Sequence, residues 1–251
     1  MRTSTSFASD GFVLHSYPYK ETSLILETFT RSHGRVAMVA KGAKRGTSSK
    51  YALSAFQPLS LEWFGRADMK TLKAADHQRI NPQIRGSALM AAFYVNELLL
   101  KLAVKDDAHE QLFDQYGETV GVLAKLRAEL RVGERLSREI EIALRRFELK
   151  LLEELGYGLT LAHEADSDAL IDPSAEYLYV VERGPVRLTN QHEIRAIDPV
   201  KLSGSTIVAL ANGEFSSAST LAQAKQLMRR VINHHLGDKA LHTRQLIREM
   251  K

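Results

Sequence analysis

Hydrophobic and polar residues alternate along the first eighty residues and then repeat with helical spacing over most of the remaining chain. Between residues 12 and 80 the period is two, as in Leu59 and Leu61 against Ser60 and Glu62. This period is typical of strands that are buried on one face, and turns containing proline or glycine separate the segments. The pattern predicts five strands, over residues 12–16, 23–30, 35–41, 58–64 and 69–78.

After Pro82 hydrophobic residues recur every three to four positions, which is the spacing of amphipathic helices. A different pattern covers residues 165–190, where an acidic stretch precedes two short β-type segments and predicts a hairpin inserted between helices. The predicted helices cover residues 88–104, from 107 towards 131, 134–155, 203–210, 219–236 and 239–250.

These elements predict an α+β fold with two domains. Five short strands, with the longest connection after the third, favour a small Greek-key barrel of the oligonucleotide-binding (OB) type at residues 1–82. A five-stranded SH3-like barrel is the structural alternative. Residues 83–251 are predicted to form an α-helical domain, with the small β-hairpin insert at about residues 160–195.

Positive charge is concentrated in the predicted barrel. The whole chain has 34 basic and 30 acidic residues, a formal net charge of +4. Residues 1–82 contain 12 basic and 6 acidic side chains and the remainder contains 22 and 24, so the two segments carry +6 and −2. Because clustered cations set the local potential, this division indicates that a polyanion would contact the barrel.

The basic residues of the predicted barrel lie in positions suited to phosphate contacts. A short apolar strand, 36–40, leads into a basic loop at 41–45, although an edge strand with solvated lysines would look the same. Tyr17 and Tyr19 offer surfaces on which bases can stack, whereas Trp63 is predicted to be barrel core. The predicted nucleic-acid contacts are Arg31, Arg35, Lys41, Lys44, Arg45, Lys50, Arg66, Lys70 and Lys73.

Enzymatic chemistry is not indicated. Without cysteine, the chain has no disulfide, cysteine-ligated zinc, iron–sulfur cluster or cysteine catalysis, as expected in a reducing cytoplasm. No Walker-type loop, dinucleotide glycine fingerprint, His-Glu-x-x-His or Gly-x-Ser-x-Gly sequence is present. The adjacent His234 and His235 point about 100° apart on a helix, and Asp166 and Asp168 have no clear further ligands. We therefore predict no catalytic residue, no cofactor and no metal site.

The expected location follows from the absence of membrane signals. The first residues lack the apolar core of a signal peptide. No stretch approaches the about 20 apolar residues of a membrane-spanning helix. We expect a cytoplasmic, nucleoid-associated protein with no membrane partner.

Ten short stretches, spread in order over nearly the whole chain, carry a more specific signal. They are Phe12-Val13-Leu14-His15-Ser16, Lys20-Glu21-Thr22-Ser23-Leu24, Gly34-Arg35-Val36, Val39-Ala40-Lys41-Gly42-Ala43, Phe56-Gln57-Pro58-Leu59, Lys70-Thr71-Leu72, Tyr94-Val95-Asn96-Glu97-Leu98-Leu99, Leu144-Arg145-Arg146-Phe147-Glu148, Leu155-Gly156-Tyr157-Gly158-Leu159 and His235-Leu236-Gly237. Together they resemble the RecO family of recombination mediators in bacterial DNA repair.

The resemblance implies an OB barrel followed by a helical domain, with no catalytic site. It also implies binding of single- and double-stranded DNA, annealing of complementary strands, and cooperation with RecR in loading RecA onto DNA covered by single-strand binding protein (SSB). Many members of the family carry a four-cysteine zinc site in the insert. Here His163-Glu164-Ala165-Asp166 occupies that region and the chain has no cysteine, so we expect this insert to fold without metal.

The resemblance further implies that the helical domain receives the acidic, apolar-tipped C-terminal tail of SSB. Such a tail needs an apolar groove with cations at its rim. Arg145, Arg146, Phe147 and Leu151 are candidates, because two arginines lie beside an apolar helix stripe. Alternatively, the stripe is wholly core and the arginines pair with glutamates of the same helix.

Two classes of function therefore compete. The first is a DNA-binding recombination mediator without enzymatic activity. The second is a protein-interaction adaptor whose basic barrel has no direct DNA role. Salt-dependent binding to oligonucleotides separates them, since phosphate contacts release counterions.

Overall fold

The N-terminal strands form a closed barrel in the computed structural model, which describes residues 5–44, 53–126, 137–189 and 198–249. Neighbouring strands follow the order β1-β2-β3-β5-β4, and all pairs are antiparallel except β3 with β5. This five-stranded barrel confirms the predicted fold class. The strands are β1 (Ser6–Tyr19), β2 (Ser23–Thr30), β3 (Gly34–Ala40), β4 (Leu59–Phe64) and β5 (Met69–His77).

Alternating side chains fill the barrel interior. In β4, Leu59, Leu61 and Trp63 are buried while Ser60 between them is exposed, as a period of two requires. The same core includes Val13, Leu26, Val36 and Met38. Trp63 is therefore barrel core, as predicted.

The first strand is much longer than the predicted segment 12–16. Its first half pairs with β4 and its second half with β2, so β1 closes the barrel. At Gly11 a β-carbon would lie 2.6 Å from Leu61 Cδ1 and 3.2 Å from the carbonyl oxygen of Phe29. The strands thus meet closely where β1 passes from one partner to the other. Sequence alternation missed these extensions because the residues at both ends are largely polar or exposed.

Three helices complete the first compact unit, which comprises Met1–Ile140 and Leu241–Lys251. They are α1 (Gly86–Leu102), α2 (Glu110–Lys125) and α6 (His242–Glu249). Asn96 of α1 donates to the carbonyl oxygen of Leu14 at 2.8 Å and accepts from the Tyr116 hydroxyl of α2 at 2.7 Å. These buried hydrogen bonds join the barrel to both helices. The predicted domain boundary at residue 82 lies between β5 and α1.

The second compact unit, Glu141–Ala240, combines helices with a small sheet. The predicted hairpin is the β6–β7 part of a three-stranded antiparallel sheet in the order β7-β6-β8. Sequence analysis missed β8, because its four residues, although alternating, are too short a run to be told from the approach to the following helix. The unit's elements are most of α3 (Arg138–Glu154), then β6 (Glu176–Val180), β7 (Gly184–Arg187), β8 (Val200–Ser203), α4 (Gly204–Ala211) and α5 (Ala218–Leu236).

Side-chain caps define where two of these helices begin. Ser203 accepts a hydrogen bond from the backbone N–H of Thr206 at the start of α4, and Ser217 accepts one from Thr220 at the start of α5. Each cap satisfies an N–H group that has no partner within the helix. Gly237, with a positive φ of 56°, ends α5.

Candidate nucleic-acid interface

Two adjacent loops bring three lysines together at one end of the barrel. Lys20 lies in the β1–β2 turn, and Lys41 and Lys44 lie in the turn that follows β3. The turns are joined by hydrogen bonds from Lys44 N to the Thr22 carbonyl oxygen at 3.0 Å and from Lys44 Nζ to the Lys20 carbonyl oxygen at 2.9 Å. All three lysine side chains are exposed. We call Lys20, Lys41 and Lys44 the loop cluster.

Two exposed tyrosines adjoin the loop cluster at the end of β1. Tyr17 and Tyr19 are 46% and 36% exposed, so both rings are accessible from solvent. Lys20 Nζ lies 5.3 Å from the centre of the Tyr19 ring, and the rings of His15 and Tyr17 are 4.4 Å apart. Exposed rings beside exposed ammonium groups can stack on bases while the cations contact phosphates. The predicted grouping of Tyr17 and Tyr19 with basic loops therefore exists in the structure.

Arg35 and Lys70 occupy a different environment. The Arg35 side chain is 11% exposed, donates to the carbonyl oxygens of Leu100 and Ala103 at 2.7 and 2.8 Å, and pairs with Glu27 at 3.2 Å. Lys70, 7% exposed, donates to both carboxylate oxygens of Asp106 at 2.7 and 2.8 Å.

These two cations hold the α1–α2 connection against the barrel. Their charges are directed at internal acceptors and not at solvent. We therefore revise the predicted DNA surface by leaving Arg35 and Lys70 out of it.

The other predicted contacts are divided among several places. Arg31 pairs with Asp114 and lies 3.7 Å from Glu110, and Lys73 pairs with Glu62 at 2.7 Å. Arg66 is exposed in the β4–β5 turn, and the part of the chain that the structure describes shows no ion pair for it. Strand register places this turn beside the start of β1, whereas Lys20 follows the end of β1. Arg45 and Lys50 lie outside the described residues.

The predicted tail-binding face of α3 is mostly interior. Phe147 and Leu151 are completely buried, and Arg145 is 5% exposed. Nε and Nη2 of Arg145 lie 2.6 Å from Oε2 and Oε1 of Glu148, respectively. For these three residues the arrangement matches the second interpretation given above, in which the apolar stripe is core and the arginine pairs with a glutamate of its own helix. Of the four predicted residues only Arg146 is exposed.

Glu97 is a buried polar residue whose role the sequence analysis did not identify. Its carboxylate on α1 accepts from the backbone N–H of His242 at 2.8 Å and from the N–H and hydroxyl of Thr243 at 2.9 and 2.6 Å. Lys101 pairs with it at 2.9 Å. Burial would raise the pKa of Glu97, but the hydrogen bonds from Thr243, Lys101 and His242 lower it to about 2. Glu97 thus holds the N-terminus of α6; no local pattern could reveal a partner so distant in sequence.

Hydrogen bonds organise the insert that follows α3. The buried Glu164 accepts from Ser167 at 2.6 Å and from the Tyr177 hydroxyl at 3.0 Å, and Arg187 pairs with Asp172 at 2.8 Å. Burial and the adjacent Glu164 raise the pKa of Tyr177. Among residues 5–44, 53–126, 137–189 and 198–249, no three histidine or carboxylate side chains are grouped to hold a metal ion. Over the same ranges, no helix has the length and hydrophobicity needed to cross a membrane.

Comparison with known proteins covers almost the whole chain. Family models described as Recombination protein O N terminal and Recombination protein O C terminal match residues 1–80 and 85–245. A "DNA repair protein RecO" from Thiobacillus denitrificans is 48% identical over 241 residues, covering 96% of this chain and 91% of the relative. A protein of the same name from Aromatoleum aromaticum is 43% identical over 242 residues, covering 96% and 95%. The matches extend over both the barrel and the helical part.

Proposed function

The chain belongs to the RecO family of DNA repair proteins, and from this premise we propose that it is a non-enzymatic recombination mediator that binds single- and double-stranded DNA. Membership of the family gives it a role in DNA repair and recombination. The single observation that best supports DNA binding is the loop cluster beside the exposed Tyr17 and Tyr19. Cations beside stacking surfaces suit sequence-tolerant binding to a phosphate backbone.

The proposal includes annealing of complementary strands. Annealing needs no catalytic group, because a surface that holds two strands near cations lowers phosphate repulsion and raises their local concentration. With RecR, the protein would then help to load RecA onto single-stranded DNA covered by SSB. An annealing assay with and without SSB tests this activity, and absence of strand annealing by the folded protein would contradict it.

Replacing Lys41 and Lys44 with alanine is expected to weaken binding to oligonucleotides of every sequence. Each lost phosphate contact should reduce the slope of log affinity against log salt by about 0.9 for duplex and about 0.7 for single-stranded DNA. Fluorescence anisotropy over a salt series measures both quantities. The melting temperature should change little, because both lysine side chains are exposed and Lys44→Ala removes only one exposed hydrogen bond, to the Lys20 carbonyl oxygen, while the backbone bond from Lys44 N to Thr22 stays.

A charge-matched control separates a local surface from overall charge. Lys201 and Lys225 are exposed lysines of the second unit, so their double alanine variant removes the same charge elsewhere. This control should bind DNA like the wild type. Equal loss of affinity in both double variants would show that only net charge matters. Salt-independent association, or none, would favour the adaptor function.

The proposed partner for the helical part is the C-terminal tail of SSB. Arg146 is the exposed cation among the predicted residues, and acidic tail residues need such a partner. Arg146→Glu is expected to weaken a tail-peptide complex about tenfold or more, in line with loss of a charge-assisted contact and gain of repulsion. Calorimetry with a synthetic tail peptide measures this change. Tail affinity equal to that of the wild type would place the docking site elsewhere.

A further inference from the structure

A cleft of about 710 Å³ lies between the barrel and α2, within the first compact unit. Gly11 and Phe12 of β1 and Pro58 form the barrel side, while Phe113 and Val122 line the helix side. The volume falls within the range of about 300–1,000 Å³ that is usual for small-molecule sites. The cleft is distinct from the loop cluster, none of whose residues line it.

Two glycines keep the helix wall of the cleft open. Gly117 and Gly121 are one helical turn apart in α2 and both line the cleft. A β-carbon at Gly121 would meet no heavy atom within 4 Å, and one at Gly117 would only reach ring atoms of Phe12 at 3.8 and 3.9 Å. Close packing therefore does not require glycine at either position, although glycine destabilises a helix interior relative to alanine. What glycine preserves here is the open space.

The polar lining of the cleft carries both signs of charge. Arg79 and Lys125 are exposed at its edge, and within the described part of the chain neither makes an ion pair. Asp10, Asp114 and Glu118 supply carboxylate oxygens. Arg31 also lines the cleft but is paired with Asp114. Asp10 accepts a hydrogen bond from Gln78, and Glu118 accepts one from Gln115 at 3.4 Å. The cleft thus offers two exposed cations without an ion pair, carboxylates that each keep unused lone pairs, and an apolar floor formed by Phe12 and Phe113.

This combination favours a nucleotide over a charged peptide. An acidic peptide would meet the three carboxylates, and a basic one would meet Arg79 and Lys125. In a nucleotide the base is neutral and its exocyclic amino group can donate to a carboxylate, while the phosphate can pair with a cation. We propose that the cleft holds one nucleotide of a nucleic-acid strand, with the base against the apolar floor and the phosphate near Arg79 and Lys125. The choice of ligand rests on the proposed DNA-binding function.

The chemistry of the lining predicts a preference among bases. Cytosine has an exocyclic amino group that can donate to Asp10, Asp114 or Glu118, whereas thymine has none. Deoxycytidine monophosphate should therefore bind more tightly than thymidine monophosphate. Titrations of the full-length protein at millimolar nucleotide, followed by nuclear magnetic resonance, measure both.

Substitutions at Gly121 test the site by two independent readouts. Gly121→Ala should raise the melting temperature by about 2–4 °C, since the helix gains a better helix former without a clash. Gly121→Leu should lower the affinity for deoxycytidine monophosphate tenfold or more, because its side chain fills the cleft. Gln226→Leu places the same side chain on an exposed face of α5 and should leave the affinity unchanged.

Several outcomes would overturn the proposal, and they differ from failure of the loop cluster. Absence of nucleotide binding to the wild type, or full affinity in folded Gly121→Leu, would show that the cleft is not a nucleotide site. A lower melting temperature for Gly121→Ala would show that other parts of the chain fill the space. The Lys41 and Lys44 double variant should still bind the mononucleotide. A variant that loses oligonucleotide binding at the loop cluster should therefore keep mononucleotide binding in the cleft. Likewise, failure of mononucleotide binding would not count against oligonucleotide binding at the loop cluster.

Discussion

Replacing Arg35 with alanine is expected to lower the free energy of unfolding by about 3 kcal/mol, while the salt dependence of DNA binding by the folded protein stays unchanged. The guanidinium group connects three acceptors: the carbonyl oxygens of Leu100 and Ala103 at 2.7 and 2.8 Å and the carboxylate of Glu27 at 3.2 Å. Alanine would leave two helix C-terminal carbonyls and a largely buried carboxylate without this donor. Unmade hydrogen bonds at buried groups cost more than the bonds contribute when formed.

Urea unfolding of the variants measures the effect. Arg66→Ala removes an exposed arginine of the same barrel and should change the free energy of unfolding by less than about 0.5 kcal/mol. The expected pattern is the reverse of that for Lys41 and Lys44, whose loss should weaken the proposed DNA binding with little effect on stability. A stable Arg35→Ala variant with a flatter salt slope would restore Arg35 to the proposed DNA surface.

Residue type and position could not separate Arg35 and Lys70 from the exposed lysines. All of them are basic residues in barrel strands or turns, and the average charge of the segment is the same whichever way they point. The partner of Lys70 is Asp106, 36 positions along the chain, and Arg35 finds two acceptors at the end of α1. Local patterns predict elements, whereas these pairings depend on how the elements meet.

The stretches that resemble the RecO family contain many of the contacts that hold each unit together. Gly34 precedes Arg35 with a φ of +61°, and a β-carbon there would lie 1.7 Å from the carbonyl oxygen of Asp107. In the second unit, Tyr157 stacks on His235 with ring centres 3.9 Å apart, which joins two of the matching stretches. Such stretches identify the family well because they specify its fold. For the same reason they are a poor guide to which residues face a ligand.

Periodicity predicted the barrel and the helices but not the orientation of every helix face. The α3 stripe was predicted to be either a groove or core, and its spacing fits both. The structure buries Phe147 and Leu151 and pairs Arg145 with Glu148. A helix carries the same hydrophobic spacing whether its partner is another part of the chain or another protein. Only the packed structure distinguishes the two.

Glu97→Gln is expected to lower the free energy of unfolding at pH 7 by about 2 kcal/mol and to loosen α6. The carboxylate accepts three hydrogen bonds from His242 and Thr243 at the N-terminus of that helix, where a negative charge is favoured. The glutamine amide keeps one acceptor oxygen. Its NH2 group replaces the other oxygen and would face N–H donors at the start of α6, with which it cannot form a hydrogen bond. Hydrogen exchange of residues 242–249 should therefore become faster.

The pH dependence gives this prediction a definite sign. Although burial would raise it, the pKa of Glu97 is lowered by hydrogen bonding from its ordinary value of 4.5 to about 2 in the folded protein. A lowered folded-state pKa means that the carboxylate stabilises the fold fully above pH 4.5, and that this contribution is lost as the pH falls towards 2. The stability difference between wild type and Glu97→Gln should shrink over that interval.

Urea unfolding of both proteins at pH 7 and at several values below pH 4.5 measures the predicted change. Glu153→Gln is the matched control, because Glu153 is exposed and pairs only with Lys150 at 2.8 Å among the described contacts. Its effect should stay below about 0.5 kcal/mol at pH 7. A Glu97→Gln deficit that is equally large at pH 7 and near pH 2 would contradict an ionised carboxylate at the start of α6. The loss would then come from side-chain packing alone, which does not titrate.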